Sequence, residues 1–204
     1  MDIKDYIGSL TKYDNPLLPE MEPQSTTRAD TRSFIEPEVA RLINTFILAT
    51  NAKNVLELGT CVGYSGIWMA EALKTIGGKL TTIDYDIDLL KEARANFKKA
   101  GVSDYIDIIE GEITEVIKKL PDNKFDILIQ DARKSMYVEL IEDSIRLIRR
   151  GGLIIADDTI YSRQGTVEKI SDHLKKYNEL IFKDERLYSV ILPVGEGLTI
   201  SVKK

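Results

Sequence analysis

The amino-acid sequence predicts an α/β fold: a single doubly wound sheet, mostly parallel, with helices on both faces and an antiparallel C-terminal hairpin strand. Two observations support this fold class. Short apolar runs typical of buried strands alternate with longer segments of helical periodicity. The first of these runs passes into a helix through a turn punctuated by Gly59, Gly63 and Gly66.

The alternation covers most of the chain. The predicted strands are Val55–Leu58, Leu80–Ile83, Tyr105–Ile109, Phe125–Ile129 and Leu153–Ala156. The helical segments between and after them are Tyr64–Lys74, Ile87–Ala100, Ile113–Leu120 and Ser135–Arg149. Strands and helices in strict alternation form parallel sheets, so we expect a Rossmann-like arrangement.

Further elements are predicted on either side of this alternation. A helix begins near Glu36-Pro37-Glu38, with proline early and acids in the first turn. Towards the C-terminus, a helix is predicted near Thr166–Tyr177. The runs Tyr188–Leu192 and Leu198–Val202 then flank a turn and predict the antiparallel hairpin.

Length and composition indicate one globular enzyme-sized domain. With 204 residues, the chain can bury one core, which we assign to residues 35–204, preceded by a helix or lid segment at residues 1–34. The single cysteine, Cys61, excludes an intramolecular disulfide, and no signal peptide or membrane-spanning run is evident, so we expect a cytoplasmic protein. A net charge of −5 provides no general attraction to nucleic acid or anionic lipid.

The glycine turn predicts a binding site for a charged small molecule, because a helix N-terminus offers unpaired N–H groups. The turn does not match the dinucleotide fingerprint, since Cys61 stands where the second glycine is required, and no phosphate-loop lysine follows. It reads E-x-G-x-x-x-G instead. Its acid, Glu57, lies at the strand end and could meet a cationic group of the ligand.

Acidic residues follow several other strands, at the edge where open parallel sheets bind ligands. Asp84 comes 25 positions after Gly59, near the offset of an acid that binds ribose hydroxyls. If strands four and five are neighbours, Asp131, Asp157 and Asp158 crowd together. Oxygen ligands of this kind suit a hard divalent cation, and Mg²⁺ is the first expectation, with Mn²⁺ or Ca²⁺ as alternatives.

Each of these residues also has a simpler interpretation. An aspartate at a strand end commonly caps the next helix or faces solvent, and on spacing alone the metal site and this alternative are equally favoured. Lys134 alone is more typical of a solvated lysine at a helix start. The sole histidine, His173, lies in a charged segment and is expected at the surface.

Taken together, the motifs resemble one family. Val55–Ser65, VLELGTCVGYS, resembles motif I of class I S-adenosylmethionine-dependent methyltransferases, and more narrowly of the cation-dependent catechol and caffeoyl-coenzyme A O-methyltransferases. Further matching segments are Ile35–Glu38, Thr82–Asp84, Phe125-Asp126 with Asp131–Lys134 and Tyr137, Gly151–Asp158 and Leu192–Leu198. The resemblance covers roughly residues 35 to 204.

The resemblance implies a residue role at each matching position. It implies S-adenosylmethionine as cofactor, with Lys134 and Asp131 as catalytic residues. The implied cofactor-binding residues are Glu57, Gly59, Tyr64, Ser65, Asp84 and Asp131. The implied ligands of the divalent metal are Asp131, Asp157 and Asp158. Asp158 stands where the family usually has asparagine, and Arg133 replaces an acid or aromatic residue beside the substrate.

The expected function is methyl transfer to a hydroxyl of a small catechol-like acceptor with vicinal hydroxyls. Family members are often dimers, so a homodimer is expected. One alternative keeps the chemistry but takes a hydroxylated nucleoside in tRNA as acceptor, held by a basic rim of Arg28, Arg32, Arg41 and Arg133. Another is a nucleotide-binding module or nicotinamide enzyme, against which the absent second glycine argues.

Overall fold

The computed structural model describes residues 3–31, 34–161 and 171–204, and these form one seven-stranded sheet flanked by helices. The strands are β1 (Asn54–Leu58), β2 (Lys79–Asp84), β3 (Ile106–Glu110), β4 (Phe125–Gln130), β5 (Ile148–Ala156), β6 (Leu187–Leu192) and β7 (Leu198–Lys203). The helices are α1 (Ile3–Leu10), α2 (Leu17–Met21), α3 (Gln24–Thr27), α4 (Pro37–Ala49), α5 (Tyr64–Ile76), α6 (Ile87–Ala100), α7 (Ile113–Val116), α8 (Ile141–Leu147) and α9 (Asp172–Lys183).

The strand order is β3-β2-β1-β4-β5-β7-β6. β1 to β5 pair in parallel, whereas β7 pairs antiparallel with both β5 and β6. The predicted fold class is therefore confirmed, including the antiparallel hairpin. None of the helices in the described ranges is both long and apolar enough to cross a bilayer.

The sheet is buried on both faces, which explains why its strands read as nearly continuous apolar runs. In β4, Ile127 and Ile129 point into one core, while Leu128 points into the other. The first core contains Trp68 of α5 and is covered by α4, α5 and α6. The second contains Tyr177 of α9 and lies under α8 and α9. Helices on both faces are thus present, as predicted.

The helix predicted at Ser135–Arg149 is wrong at both ends. A 3₁₀ turn covers Lys134–Met136, α8 begins only at Ile141, and β5 already starts at Ile148. Pairing with β4 accounts for the early strand, since Ile148 lies opposite Phe125 before a register shift. Tertiary pairing has overridden the local helical pattern here.

Two parts of the chain, the N-terminal segment and the segment before α9, include residues outside the described ranges. The helix predicted near Thr166–Tyr177 begins at residues outside the described ranges, and the observed α9 starts at Asp172, where Ser171 caps it. In the N-terminal segment, Leu17, Leu18 and Met21 are buried in the same core as α4 and α5. The separation of this segment at residue 34 stays a prediction.

One charged residue, Glu57 on β1, lies inside the core. Its side chain is fully buried, and its carboxylate accepts hydrogen bonds from the hydroxyls of Ser65 and Thr82. Thr82 is in turn bonded to Thr60 in the glycine turn. Burial raises the pKa of Glu57 to about 8; the two hydrogen bonds oppose this rise, while the charges of neighbouring aspartates add to it. Glu57 therefore ties β1, β2 and α5 together beneath the turn.

The titration of Glu57 is expected to make stability depend on pH. Between its ordinary pKa and about 8, the folded state retains a proton on Glu57 that the unfolded state has lost. Stability must then fall as pH rises through this window. We expect the free energy of unfolding of the unmodified protein to drop by about 2 kcal/mol relative to Glu57→Gln between pH 6 and pH 8, measured by urea denaturation.

Glu185→Gln provides the matched control, because Glu185 is exposed and the same chemical change there removes no buried charge. Its stability difference from the unmodified protein should not change with pH. A difference for Glu57→Gln that is equally constant would show that Glu57 titrates like a surface carboxylate.

Candidate active site at the carboxyl edge of the sheet

The carboxyl ends of the parallel strands bring the predicted acidic residues to one edge. β1 ends beside β4, with Leu58 paired to Gln130, and β4 ends beside β5, with Gln130 paired to Ala156. The predicted neighbourhood of the fourth and fifth strands is therefore confirmed. Asp131 and Asp157 follow directly on two adjacent strands.

The glycine turn is shaped by a close approach of two strand ends. Gly59 has φ +110°, and a Cβ atom there would lie 2.6 Å from the carbonyl oxygen of Asp131. Only glycine fits such a position. Gly63, with φ +85°, then starts α5, so that the helix N-terminus faces the space above the sheet.

Asp84 organises this turn from the end of β2. One carboxylate oxygen accepts hydrogen bonds from the backbone N–H groups of Thr60 (3.0 Å) and Cys61 (2.9 Å). The other accepts from those of Tyr85 (2.8 Å) and Asp86 (3.2 Å). Asp84 also borders the cavity described next, so its predicted contact with ribose stays a prediction.

A cavity of about 370 Å³, here called the turn cavity, opens above the glycine turn. Its volume is within the range of small-molecule sites. Five of the six predicted cofactor residues line it: Gly59, Tyr64, Ser65, Asp84 and Asp131. Glu57 does not line the cavity, because it lies buried beneath the turn. Its direct contact with a ligand stays a prediction, which these buried surroundings do not support.

Lys134 lies at the end of the turn cavity in a ring of acceptors. Its Nζ is 3.0 Å from the carboxylates of both Asp131 and Asp158, and it donates to the hydroxyl of Tyr137 at 3.0 Å. Burial alone would lower the pKa of Lys134. The charges around it, chiefly Asp131 and then Tyr137 and Asp158, prevail and raise that pKa above its usual range. In this arrangement Lys134 is an ammonium ion.

The three predicted metal ligands fit a divalent cation in donor chemistry but not in spacing. The carboxylates of Asp131 and Asp158 face one ammonium, and the carboxyl group of Asp157 lies beside them, a set of oxygen donors of the kind that a hard cation prefers. Asp157 is only 2% exposed, and burial together with the charges of Asp131 and Asp158 raises its pKa well above the usual range. Among the described residues, however, no group of three acidic, histidine or cysteine side chains is spaced to hold a metal. The Lys134 ammonium stands between Asp131 and Asp158.

A second cavity of about 350 Å³, the acidic cavity, adjoins the first. It shares Phe34, Ile35, Asp131, Lys134 and Asp158 with the turn cavity, and its other lining residues are Glu36, Asp157, Tyr161 and Glu196. Burial raises the pKa of Glu36, and the charges of Asp158, Glu38 and Glu196 add to this effect. Five carboxyl groups and one lysine line this space, so its lining is predominantly acidic.

The arginines proposed as a basic rim are largely engaged with acids. The observed ion pairs are Arg28 with Asp30 and Glu92, Arg41 with Asp14, and Arg133 with Glu112. Arg32 lies outside the described residues. Each of these three arginines therefore has an acidic partner, so they give the tRNA alternative no support.

Several residues of the site were not identified from the sequence. Glu36 and Glu196 come from distant parts of the chain, and no local pattern predicts that they meet. Phe34, whose ring stacks on Tyr64 at 4.9 Å, belongs to a segment with no readable motif. Tyr137 was part of the matched motif, but its position there indicated no role.

Comparison with known proteins agrees with this architecture. The sequence pattern of the O-methyltransferase family matches residues 9–204. A catechol O-methyltransferase from Niastella koreensis is 32% identical, with the alignment covering 99% of this chain and 96% of that protein.

Solved structures share the fold. Cofactor-bound Rv0187 from MTB superposes with a TM-score of 0.86 at 26% identity, covering 99% of this chain and 96% of the other. The O-methyltransferase from Bacillus cereus in complex with SAH has a TM-score of 0.83 at 24% identity, covering 99% and 97%. At that identity the second likeness is one of fold alone. The family match over nearly the whole chain and the 32% identical relative are decisive: the chain belongs to the O-methyltransferase family and is an S-adenosylmethionine-dependent O-methyltransferase.

Proposed function

We propose that the protein methylates one hydroxyl of a small catechol-like acceptor with two neighbouring hydroxyls, with the cofactor in the turn cavity and the acceptor in the acidic cavity. The observation that carries this proposal is the position of Lys134 where the two cavities meet, beside Asp131 and Asp158. A base at that junction lies between the methyl donor and the hydroxyl that receives the methyl group.

The transfer needs one bond to form as another breaks. A bound S-adenosylmethionine would supply the methyl group, its S–CH₃ bond breaking as the O–CH₃ bond forms. Lys134 would take the proton of the acceptor hydroxyl after its own ammonium proton has passed to solvent. Rate then comes mainly from holding both reactants in position. The carboxylates favour the cationic sulfonium over an anionic cofactor in the adjoining turn cavity.

We propose Asp131, Asp157 and Asp158 as holders of a divalent cation, with Mg²⁺ the first expectation. When bound, such a cation lowers the pKa of an acceptor hydroxyl and offsets the carboxylate charge that keeps Lys134 protonated. The donor chemistry supports this assignment, but the ammonium of Lys134 must leave the gap between Asp131 and Asp158. Asp158 has φ +57°, a backbone conformation that suits aspartate and asparagine, so either residue fits there.

The acidic cavity also bears on the class of acceptor. A polyanion such as tRNA would bring phosphate charges towards Glu36, Glu196 and the aspartates, at a cost in repulsion. A neutral or cationic small molecule meets no such cost. This favours the small-molecule acceptor over the tRNA alternative.

Removing the amine of Lys134 should abolish methyl transfer and leave cofactor binding intact. We expect Lys134→Ala to lower kcat by about 10²-fold or more, because general-base catalysis is lost. Asp131→Ala should behave in the same way. Calorimetry should find the affinity for S-adenosylmethionine nearly unchanged in Lys134→Ala, whereas Asp131→Ala, at a residue that lines the turn cavity, can also weaken it. The control is Lys98→Ala on the exposed surface of α6; loss of cofactor affinity in Lys134→Ala would contradict the assignment.

Chelation tests the metal separately from the methyl transfer. We expect EDTA to abolish turnover and added Mg²⁺ to restore it, as measured by transfer of a labelled methyl group to catechol. Asp157→Asn should lose activity, whereas Asp158→Asn should retain it because an amide oxygen can replace the carboxylate. Full turnover in EDTA would remove the cation from the mechanism and leave the O-methyltransferase intact.

The charge of the acceptor should affect its efficiency. We expect kcat/KM for a catechol with an amine side chain to exceed that for a catechol with a carboxylate side chain by about 10-fold, because each nearby carboxylate contributes up to about 1 kcal/mol. The double variant Glu36→Gln/Glu196→Gln should reduce this preference. An unchanged ratio would show that the acceptor side chain lies elsewhere, and methylation of undermodified tRNA but of no catechol would favour the other acceptor class.

A further inference from the structure

Tyr137 connects the proposed base to the strand ends that carry its carboxylate neighbours. It directly follows the 3₁₀ turn Lys134–Met136, and its side chain is fully buried. Its hydroxyl lies 2.7 Å from the carbonyl oxygen of Gln130, 3.0 Å from that of Asp157 and 3.0 Å from Nζ of Lys134. One phenol oxygen therefore contacts the ends of β4 and β5 and the lysine at once.

The directions of these hydrogen bonds follow from counting protons. A carbonyl oxygen can only accept, so the single hydroxyl hydrogen of Tyr137 is shared by Gln130 and Asp157. The Lys134 ammonium can only donate, so it donates to a lone pair of the phenol oxygen. The two roles of Tyr137 are thus separable: it donates to the backbone and accepts from the lysine.

The contact with Tyr137 differs from those with the carboxylates in how firmly the partner atom is fixed. Asp131 and Asp158 attract the ammonium by charge, and their side chains remain 23% and 21% exposed. The phenol oxygen is fully buried and is tied to two backbone carbonyl groups, so it offers Nζ of Lys134 one fixed acceptor. A lysine side chain is flexible and gains little precision from a point charge alone.

We propose that Tyr137 is a positioning residue, whose hydroxyl oxygen, anchored on the ends of β4 and β5, holds the side-chain nitrogen of Lys134 at the junction of the two cavities. This inference rests on the proposed role of Lys134 as the base. According to this inference, the uncharged side chain of Tyr137 orients the side chain of Lys134.

Two tyrosine-to-phenylalanine variants provide a matched comparison. Tyr177 is equally buried and its ring contacts that of Tyr137 edge-on at 5.3 Å, but in the described structure its hydroxyl has no hydrogen-bond partner. We expect Tyr137→Phe to lower kcat by about 10- to 100-fold with KM for S-adenosylmethionine changed less than about 3-fold. Tyr177→Phe should leave kcat unchanged.

A double-mutant cycle decides whether Tyr137 acts through Lys134. In the Lys134→Ala background, Tyr137→Phe should cause no further loss of the residual methyl transfer, because the group it positions is already absent. If Tyr137 had only a general structural role, the reductions in kcat caused by the two substitutions would multiply. That result would overturn the inference.

A third replacement separates the two hydrogen-bonding roles and covers the case in which Tyr137→Phe does not fold. With p-amino-phenylalanine in place of Tyr137, the aromatic amine can donate to both carbonyl groups but is a poor acceptor. We expect a folded protein with the reduced kcat of Tyr137→Phe. Retention of full kcat would overturn the inference.

The outcomes of these experiments distinguish a failure of this inference from a failure of the proposed function on which it rests. If the unmodified protein methylates no catechol, or Lys134→Ala is fully active, the proposed function fails. If Lys134→Ala is inactive while Tyr137→Phe keeps its kcat, only the positioning role of Tyr137 is overturned.

Discussion

The parallel pairing of β4 with β5 is the constraint on which the rest of the site depends. It sets Gln130 against Ala156, so the residues that follow, Asp131 and Asp157, leave the sheet side by side. The phenol of Tyr137 then spans the same two strand ends and holds Lys134 beside them. Without that pairing, Asp157 and Asp158 would belong to a loop separate from the one that carries Asp131 and Lys134, with no reason to meet them.

The sequence predicted the parts of the molecule whose signal is local. The helices at Tyr64 and Ile87 begin where the pattern indicated, and β1 to β4 begin within about one residue of their predicted starts, whereas β5 begins at Ile148 and not at Leu153. The neighbourhood of the fourth and fifth strands required an assumption about topology, which proved correct. The helix proposed at Ser135–Arg149 was wrong because strand pairing, which no local pattern records, recruited its last residues into β5.

The sequence predicted which types of residue form the site better than it predicted which way their side chains point. Glu57 looked like a ligand contact because it ends a strand next to a glycine turn. Strand alternation places it on the same face as Val55, in the core, where two hydroxyls bind it, and its contact with a ligand stays a prediction. Residues such as Glu36 and Glu196 meet only through the folded chain. A sequence can therefore nominate acids at strand ends, but the pleat and the long-range packing decide which of them reach the cavity.

The arrangement around Lys134 presents an electrostatic problem that its neighbours must resolve together. The carboxylates that bring the lysine to the junction are the groups that raise its pKa, so the same charges that position it also keep it from acting as a base. A neutral acceptor such as the phenol of Tyr137 can contribute to position without contributing a full charge. The contact with Tyr137 satisfies the requirement for position, and the cation that we propose would, by engaging the carboxylates, satisfy the requirement for a neutral amine. The neutral contact with Tyr137 thus sets where the amine of Lys134 lies, whereas the charged contacts with the carboxylates determine whether that amine carries a proton.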